Sequence, residues 1–91
     1  MNFIYDPKKA AANPRNHKAS FEEAVSIFRD TLSTTVSDPE HSESEFRFLT
    51  IGQSEQGRLL VVSHADIGED IRIISARRAT TRESKQYEEG I

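Results

Sequence analysis

The chain has 91 residues, 35% of them hydrophobic and 30% charged, which is typical of one soluble globular domain spanning residues 1–91. No run approaches the roughly 18 apolar residues of a membrane span, and the N-terminus lacks the pattern of a signal peptide, so we expect a cytoplasmic protein. The absence of cysteine excludes disulfide bonds and thiolate chemistry. The net charge of −3 argues against a wholly basic nucleic-acid-binding surface. An acid-free stretch from residue 71 to residue 82 nevertheless carries four arginines: Arg72, Arg77, Arg78 and Arg82.

The N-terminal segment predicts a strand followed by a helix. Residues 2–5 contain the aromatic and β-branched side chains that favour a strand. Asp6 is a suitable N-cap, and Pro7 suits the first helical position because it needs no amide partner there. Pro14 would clash with a carbonyl of the preceding turn. We therefore expect this helix to be short, or kinked near Asn13.

A second helix is indicated by both its start and its apolar stripe. Ser20 and Glu23 have the spacing of a capping box, in which the glutamate reaches back to the amide of the serine. Apolar residues then recur at helical spacing, at Phe21, Ala24, Val25 and Phe28. We expect this helix to end near Asp30.

The rest of the chain predicts strands and a last helix. Four stretches read as strands, namely 34–36, 46–53, 58–65 and 70–76, with an acidic loop after the first and hairpins at 54–57 and 66–69. The third should be central, since it is rich in leucine and valine. Thr80 and Glu83 form a second capping box, which opens a helix ending near Gly90. The order predicts an α+β fold, with two helices on one face of an antiparallel sheet and a C-terminal helix.

Strand alternation separates the arginines from the core of the predicted sheet. Ile71 and Ile73 should pack under the helices, which places Arg72 on the opposite face. Arg78 joins Arg72 if the extended geometry continues, and Arg47 alternates with apolar neighbours on its own strand. A guanidinium offers a planar fork of donors that matches two phosphate oxygens. The alternative interpretation is that these arginines pair with surface acids and only keep the sheet soluble.

Four segments match a known family in order and spacing. They are residues 3–13, from Phe-Ile-Tyr-Asp-Pro onward, residues 20–24, the acidic segment 38–43, and the arginine-rich block from 72 to 89. Together they resemble the BrnT family of type II toxins. The resemblance implies a RelE-like fold and an endoribonuclease that inhibits translation and growth. It also implies neutralisation by a BrnA-type antitoxin with a ribbon-helix-helix domain, through which alone the complex would contact and repress its operator DNA.

Metal-free cleavage of RNA sets three chemical requirements. The 2′-hydroxyl must lose a proton, the charge on the phosphorane must be stabilised, and the leaving 5′-oxygen must gain a proton. Arginine meets the second requirement. We therefore predict Arg72 and Arg77 as catalytic residues, with Arg78 and Arg47 binding the RNA backbone.

The proton-transfer groups are less well determined by the sequence. His17 lies where the resemblance places the family's histidine, which makes it the catalytic candidate; the alternative is a helix-end histidine that binds free carbonyls. Lys8 matches an early lysine of the family and is a candidate RNA contact, or else only a surface charge. We interpret His64 as an ordinary sheet histidine and His41 as solvated. The histidine spacing indicates no metal site, and no cofactor is implied.

A non-catalytic alternative uses the same fold. In it, the chain only binds an antitoxin and acts as a co-repressor. A small-molecule enzyme is disfavoured because no pocket motif is legible. The apolar core is small, and the C-terminal helix has only Tyr87 and Ile91 to anchor it. We therefore expect the partner to complete this surface by covering the arginine face.

Overall fold

The computed structural model describes residues 2–38 and 46–90, and in these ranges the chain forms five strands and three α-helices. In chain order they are β1 (Phe3–Ile4), α1 (Pro7–His17), α2 (Phe21–Ser26), β2 (Thr34–Ser37), β3 (Arg47–Gln53), β4 (Leu59–Ile67), β5 (Asp70–Arg78) and α3 (Thr81–Glu89). A 3₁₀ turn, Ile27–Arg29, extends α2. None of the helices in the described ranges is long and apolar enough to cross a membrane. His41, Ile91 and most of the predicted acidic loop lie outside these ranges.

The sheet is mixed, with the strand order β1-β5-β4-β3-β2. The central position of β4 was predicted, and its pairs with β3 and β5 are antiparallel. The prediction of a wholly antiparallel sheet is wrong, because Phe3 and Ile4 of β1 pair in parallel with β5. The long connection through the helices and the other strands permits this direction, whereas a tight hairpin would not.

The first helix, α1, is longer than the short helix that was one of the two predictions for this segment. Asp6 caps α1 by accepting a hydrogen bond from the Lys8 amide at 2.8 Å, as predicted. The helix then continues through Pro14 to His17, so the prediction of a short helix is wrong. The buried Asn13 offers a reason, since its Nδ2 donates to the carbonyl of Ala76 in β5 at 2.8 Å, and its Oδ1 accepts from the Ala76 amide. These bonds hold α1 against the edge of the sheet and offset the hydrogen bond that proline cannot make.

The second helix has only half of its predicted capping box. The Ser20 hydroxyl accepts from the Glu23 amide at 3.0 Å. The Glu23 carboxylate, however, turns toward the sheet, where it accepts hydrogen bonds from Arg58 and from the Ser54 hydroxyl. A buried carboxylate is stabilised more by a guanidinium than by a helix-end amide. Glu23 therefore joins α2 to the start of β4.

The two faces of the sheet carry different layers. On the core face, α2 and the segments beside it pack on apolar side chains of β4 and β5; this cluster contains Ala19, Phe21, Ala24, Ile27, Leu60, Val62, Ile71, Ile73 and Ala76. Ala10 of α1 packs against the same cluster. The opposite surface, here called the outer face, is formed by the intervening residues of β3, β4 and β5. It is partly covered by α3.

The C-terminal helix is held mainly by polar bonds. Thr80 and Glu83 form the complete predicted capping box, and Gly90 ends the helix with a φ of 73°. No residue of α3 is fully buried. Near its end, the Tyr87 hydroxyl donates to the Asp30 carboxylate, and this bond raises the pKa of Tyr87 to about 12. Between α3 and the outer face lies a small cavity of about 130 Å³, lined on the sheet side by Thr34, Val36, Leu49, Ile51 and Val61.

Candidate arginine groove

The outer face is a grid of three strands by three rows, fixed by strand register. The first row is Arg47, Ala65 and Arg72; the second is Leu49, Ser63 and Ser75; the third is Ile51, Val61 and Arg77. In the first row, Arg47 and Arg72 flank the small, buried Ala65, and two strand spacings separate their backbones by about 10 Å. Both arginines also interact with other groups of the chain.

A β-bulge in β5 determines whether Arg77 or Arg78 lies on the outer face with Arg72. Ser63 pairs with Ser75 and His64 pairs with Ile73, so Ile74 is an extra residue in β5. One extra residue reverses the alternation of every later side chain on the strand. Arg77 therefore joins Arg72 on the outer face.

Arg78 consequently takes the opposite side from the one predicted. It pairs with Leu60, a residue of the core cluster, and its side chain lies at the rim of the core face. The Arg58 hydrogen bond lowers the pKa of Glu23, and the charge of Arg78 adds to this effect, which places Arg78 near that core-face pair. The prediction that Arg78 accompanies Arg72 is wrong because strand alternation is interrupted at Ile74.

An open groove on the outer face is centred on the second row and reaches Arg47 in the first row and Arg77 in the third. It is lined by Asp38, Arg47, Leu49, Ser63, Ile74, Ser75 and Arg77. We call this the arginine groove. Its floor is apolar and hydroxylated, and guanidinium groups stand on two of its sides. This arrangement suits a ligand that combines anionic groups with flat or apolar parts.

Arg77 is held by a carboxylate from α3. Its Nη1 donates to Glu83 Oε1 and its Nη2 to Glu83 Oε2, both at 2.8 Å. This bidentate bond raises the pKa of Arg77, and it lowers the pKa of Glu83 to about 2. Glu83 Oε1 also accepts from the Thr80 amide at 2.8 Å, so the same carboxylate caps α3. The Arg77 side chain still remains 42% exposed.

The structure does not bring His17 or Lys8 into the groove. Both lie on α1, which packs against the core cluster and the β5 edge rather than on the outer face. His17 is exposed in the last turn of α1, and Lys8 is exposed in the first. Their predicted roles therefore require RNA to extend beyond the groove.

His64 is a buried residue of the core face. It is 3% exposed, its Nε2 is 2.7 Å from the Thr50 hydroxyl, and its ring lies between Phe28 and Phe48. Burial lowers its pKa, although Asp66, whose carboxylate is 3.5 Å from Nδ1, opposes this shift. In this environment the neutral ring is favoured, and it cannot contact a ligand on the outer face.

Sequence reasoning missed two roles that support the site. Glu83 was interpreted only as a helix cap, although its position six residues after Arg77, beyond a turn, is compatible with an ion pair. Asn13 was interpreted only as a point of possible kinking, and no local pattern indicates its bonds to the Ala76 backbone. No cluster of three or more histidine or acidic side chains that could hold a metal ion occurs in the described parts of the chain.

Comparisons with known proteins identify a family and a similar fold. A family model described as "Ribonuclease toxin, BrnT, of type II toxin-antitoxin system" matches residues 5–83. The crystal structure of the Brucella abortus ribonuclease toxin BrnT is similar, with a TM-score of 0.67 and 24% sequence identity. That alignment covers 89% of this chain and 99% of the Brucella chain, and at this identity it shows a shared fold. A search of curated proteins found no match.

Proposed function

This chain belongs to the BrnT family of ribonuclease toxins of type II toxin–antitoxin systems, and from that premise we propose that it is an endoribonuclease that cleaves RNA without a metal ion. The match over residues 5–83 supports treating the whole chain as one toxin domain. The α+β architecture and the sequence resemblance support a RelE-like fold. Cellular RNA as substrate favours the cytoplasm as its compartment and translation as the process that it inhibits.

The observation that carries this proposal is the arginine groove. Arg47 and Arg77 line it from β3 and β5, and Arg72 lies on the same face in the row of Arg47. Two or three guanidinium groups spaced across an open surface suit successive phosphates of a single strand, while the apolar floor suits a base. RNA would thus cross the outer face beside α3.

In the proposed reaction, the 2′-hydroxyl attacks the adjacent phosphate and expels the 5′-oxygen. Arg72 and Arg77 stabilise the extra negative charge of the phosphorane, a task in which one well-placed donor contributes about 3 kcal/mol. Arg47 binds a neighbouring phosphate. His17, exposed at the end of α1, can transfer a proton only if the scissile phosphate also lies within hydrogen-bond reach of its ring. Arg78 and Lys8 extend the positive surface outside the groove.

The partner is proposed to be a BrnA-type antitoxin with a ribbon-helix-helix domain. Occlusion of the groove would explain neutralisation, because acidic side chains of the antitoxin could replace the RNA phosphates opposite Arg47, Arg72 and Arg77. Exposed apolar side chains beside these arginines support such a contact: Ile4 is 40% exposed next to Arg72, and Val36 is 55% exposed beside the α3 cavity. The bound complex would reach operator DNA through the antitoxin.

A co-repressor without catalysis is the second candidate. The observation that favours it is the bond between Arg77 and Glu83, because a carboxylate already neutralises part of the guanidinium charge. Asp38 also lines the groove, so a second carboxylate lies beside the arginines. This candidate binds an antitoxin but does not cleave RNA.

Cleavage of purified RNA in the presence of EDTA separates the two candidates. The ribonuclease proposal predicts cleavage that persists in EDTA, products with 2′,3′-cyclic phosphate ends, and loss of cleavage in the double variant Arg72→Ala/Arg77→Ala. Cleavage abolished by EDTA would contradict metal independence. Absence of cleavage by a folded wild-type chain, together with intact antitoxin binding, would favour the co-repressor.

Growth provides the corresponding test in cells. Expression of the chain alone should arrest growth, and co-expression of its cognate antitoxin should restore it. Hydrogen exchange of the purified complex should show protection of residues 71–82. Protection confined to α1 and α2 would contradict occlusion of the groove while leaving the ribonuclease proposal intact.

A further inference from the structure

The bond between Arg77 and Glu83 leaves one side of the guanidinium unused. Glu83 occupies Nη1 and Nη2, which form the end of the guanidinium plane. A second contact, to the Arg78 carbonyl at 3.3 Å, is also made by Nη1. Among the described residues, no hydrogen bond is made by Arg77 Nε, and Nη2 retains a second hydrogen beside it. These two donors form the other planar fork of an arginine, which also matches two oxygens of a phosphate.

Arg77 and Glu83 line two different openings on the outer face. Arg77 lines the arginine groove, whereas Glu83 lines the cavity beneath α3. The carboxylate therefore holds the guanidinium from the side away from the groove. Glu83 is itself fixed, because its Oε1 accepts from the Thr80 amide and its own amide donates to the Thr80 hydroxyl.

We propose that Glu83 is a positioning residue for Arg77: it holds one fork of the guanidinium so that the fork formed by Nε and Nη2 is presented to an RNA phosphate in the arginine groove. This inference rests on the proposed function, since it assigns the phosphate to the same groove. It gives the C-terminal helix a role in the reaction, because α3 carries the carboxylate. A long, flexible side chain held in one orientation before the substrate arrives loses less entropy in the transition state.

If Glu83 instead competed with RNA for Arg77, its removal would have a different effect. If its carboxylate simply occupied the place of a phosphate, its removal would free Arg77 and raise both RNA affinity and turnover. A positioning role predicts a split, because removal of a negative charge strengthens attraction to RNA while the disordered guanidinium stabilises the transition state less well.

The test uses Glu83→Gln in the full chain. Glutamine retains an oxygen that can accept from the Thr80 amide, so the start of α3 is kept while the paired charge is lost. We expect kcat to fall about tenfold with an RNA dissociation constant that is unchanged or lower. An unchanged or increased kcat would overturn the proposal.

Two matched controls exclude less specific effects. Glu88→Gln makes the same charge change at an exposed position of α3, and we expect kcat within about twofold of wild type. Gly90→Ala strains the far end of α3, where Gly90 has a φ of 73°, without touching Glu83, and its kcat should also stay within about twofold. A tenfold loss of kcat in either control would assign the Glu83 effect to charge or to helix stability, and it would overturn the proposal.

A direct measurement keeps this inference separate from the ribonuclease proposal. In NMR spectra of ¹⁵N-labelled protein, the Nε–Hε signal of Arg77 should be sharp in wild type and broadened in Glu83→Gln. In wild type, the same signal should shift when a 2′-deoxy oligonucleotide, which cannot be cleaved, is added. If wild type does not cleave RNA, the ribonuclease proposal fails, and this signal still decides the role of Glu83. A signal that is the same in both proteins, or that does not respond to the oligonucleotide, would contradict positioning.

Discussion

A charged group is buried on the core face of the sheet, whereas on the outer face charged groups lie beside an open groove. On the core face, Glu23 is 2% exposed, and Arg58 and Ser54 satisfy its carboxylate, so this carboxylate is closed off from ligands. On the outer face, Arg77 is also paired, but it keeps a fork of donors beside an open groove. An ion pair by itself therefore does not mark an arginine as purely structural. We propose that Arg77 binds RNA through the donors that Glu83 leaves unused.

Paired leucine truncations should show the largest difference between the two faces. Leu60 is fully buried on the core face, whereas Leu49 is half-buried in the floor of the arginine groove. Leu60→Ala should lower the free energy of unfolding by about 3 kcal/mol because it leaves a cavity, and Leu49→Ala by about 1 kcal/mol. Urea denaturation followed by circular dichroism measures both. Equal losses would contradict the division into a stabilising face and a binding face.

The attachment of α1 to the core-face side should contribute the next largest effect. Asn13→Ala removes the side-chain bonds to the Ala76 backbone and leaves buried polar groups without partners. We expect a loss of about 2 kcal/mol in the free energy of unfolding. Asn16→Ala is the matched control, because Asn16 is exposed on the same helix, and it should cost less than about 0.5 kcal/mol. A small effect at Asn13 would show that these bonds do not hold α1.

The pH dependence of stability should show the smallest effect and should come from the core face. Burial holds the pKa of His64 below its ordinary value of 6.5, so the unfolded chain binds a proton to this ring more readily than the folded chain does. The contribution of His64 is therefore fully present above about pH 6.5 and is lost as pH falls through the lower, folded-state pKa. Unfolding free energies measured from pH 7.5 to pH 5 should decline, and His64→Gln should decline less. Parallel profiles would contradict this assignment.

Local signals in the sequence were sufficient for most of the secondary structure. The caps at Asp6, Ser20 and Thr80 are short-range hydrogen bonds, and the structure confirms them. The composition of β4 likewise predicted its central place, since a strand covered on both faces needs apolar side chains on both.

Features that depend on register between distant segments could not be predicted in the same way. The bulge at Ile74 arises from the pairing of β5 with β4, and nothing in the residues around it marks the break. It nevertheless places Arg77 rather than Arg78 on the face of Arg72, so alternation alone assigned Arg78 to the wrong side. His17 lay in a plausible place along the chain, but its helix does not cover the face that carries the arginines.

The neighbours Arg77 and Arg78 lie on opposite faces of the sheet, so their variants are the most direct test of RNA binding at the outer face. Arg77→Ala should lower kcat/KM for RNA cleavage about 100-fold. It should also reduce the slope of log binding constant against log salt concentration by about 1. Arg77→Lys should recover only part of the loss, because lysine has no planar fork. Arg78→Ala, at the rim of the core face, should lower kcat/KM by less than about threefold. Equal losses in the two alanine variants, or a larger loss at Arg78, would contradict the claim that the outer face binds and cleaves RNA.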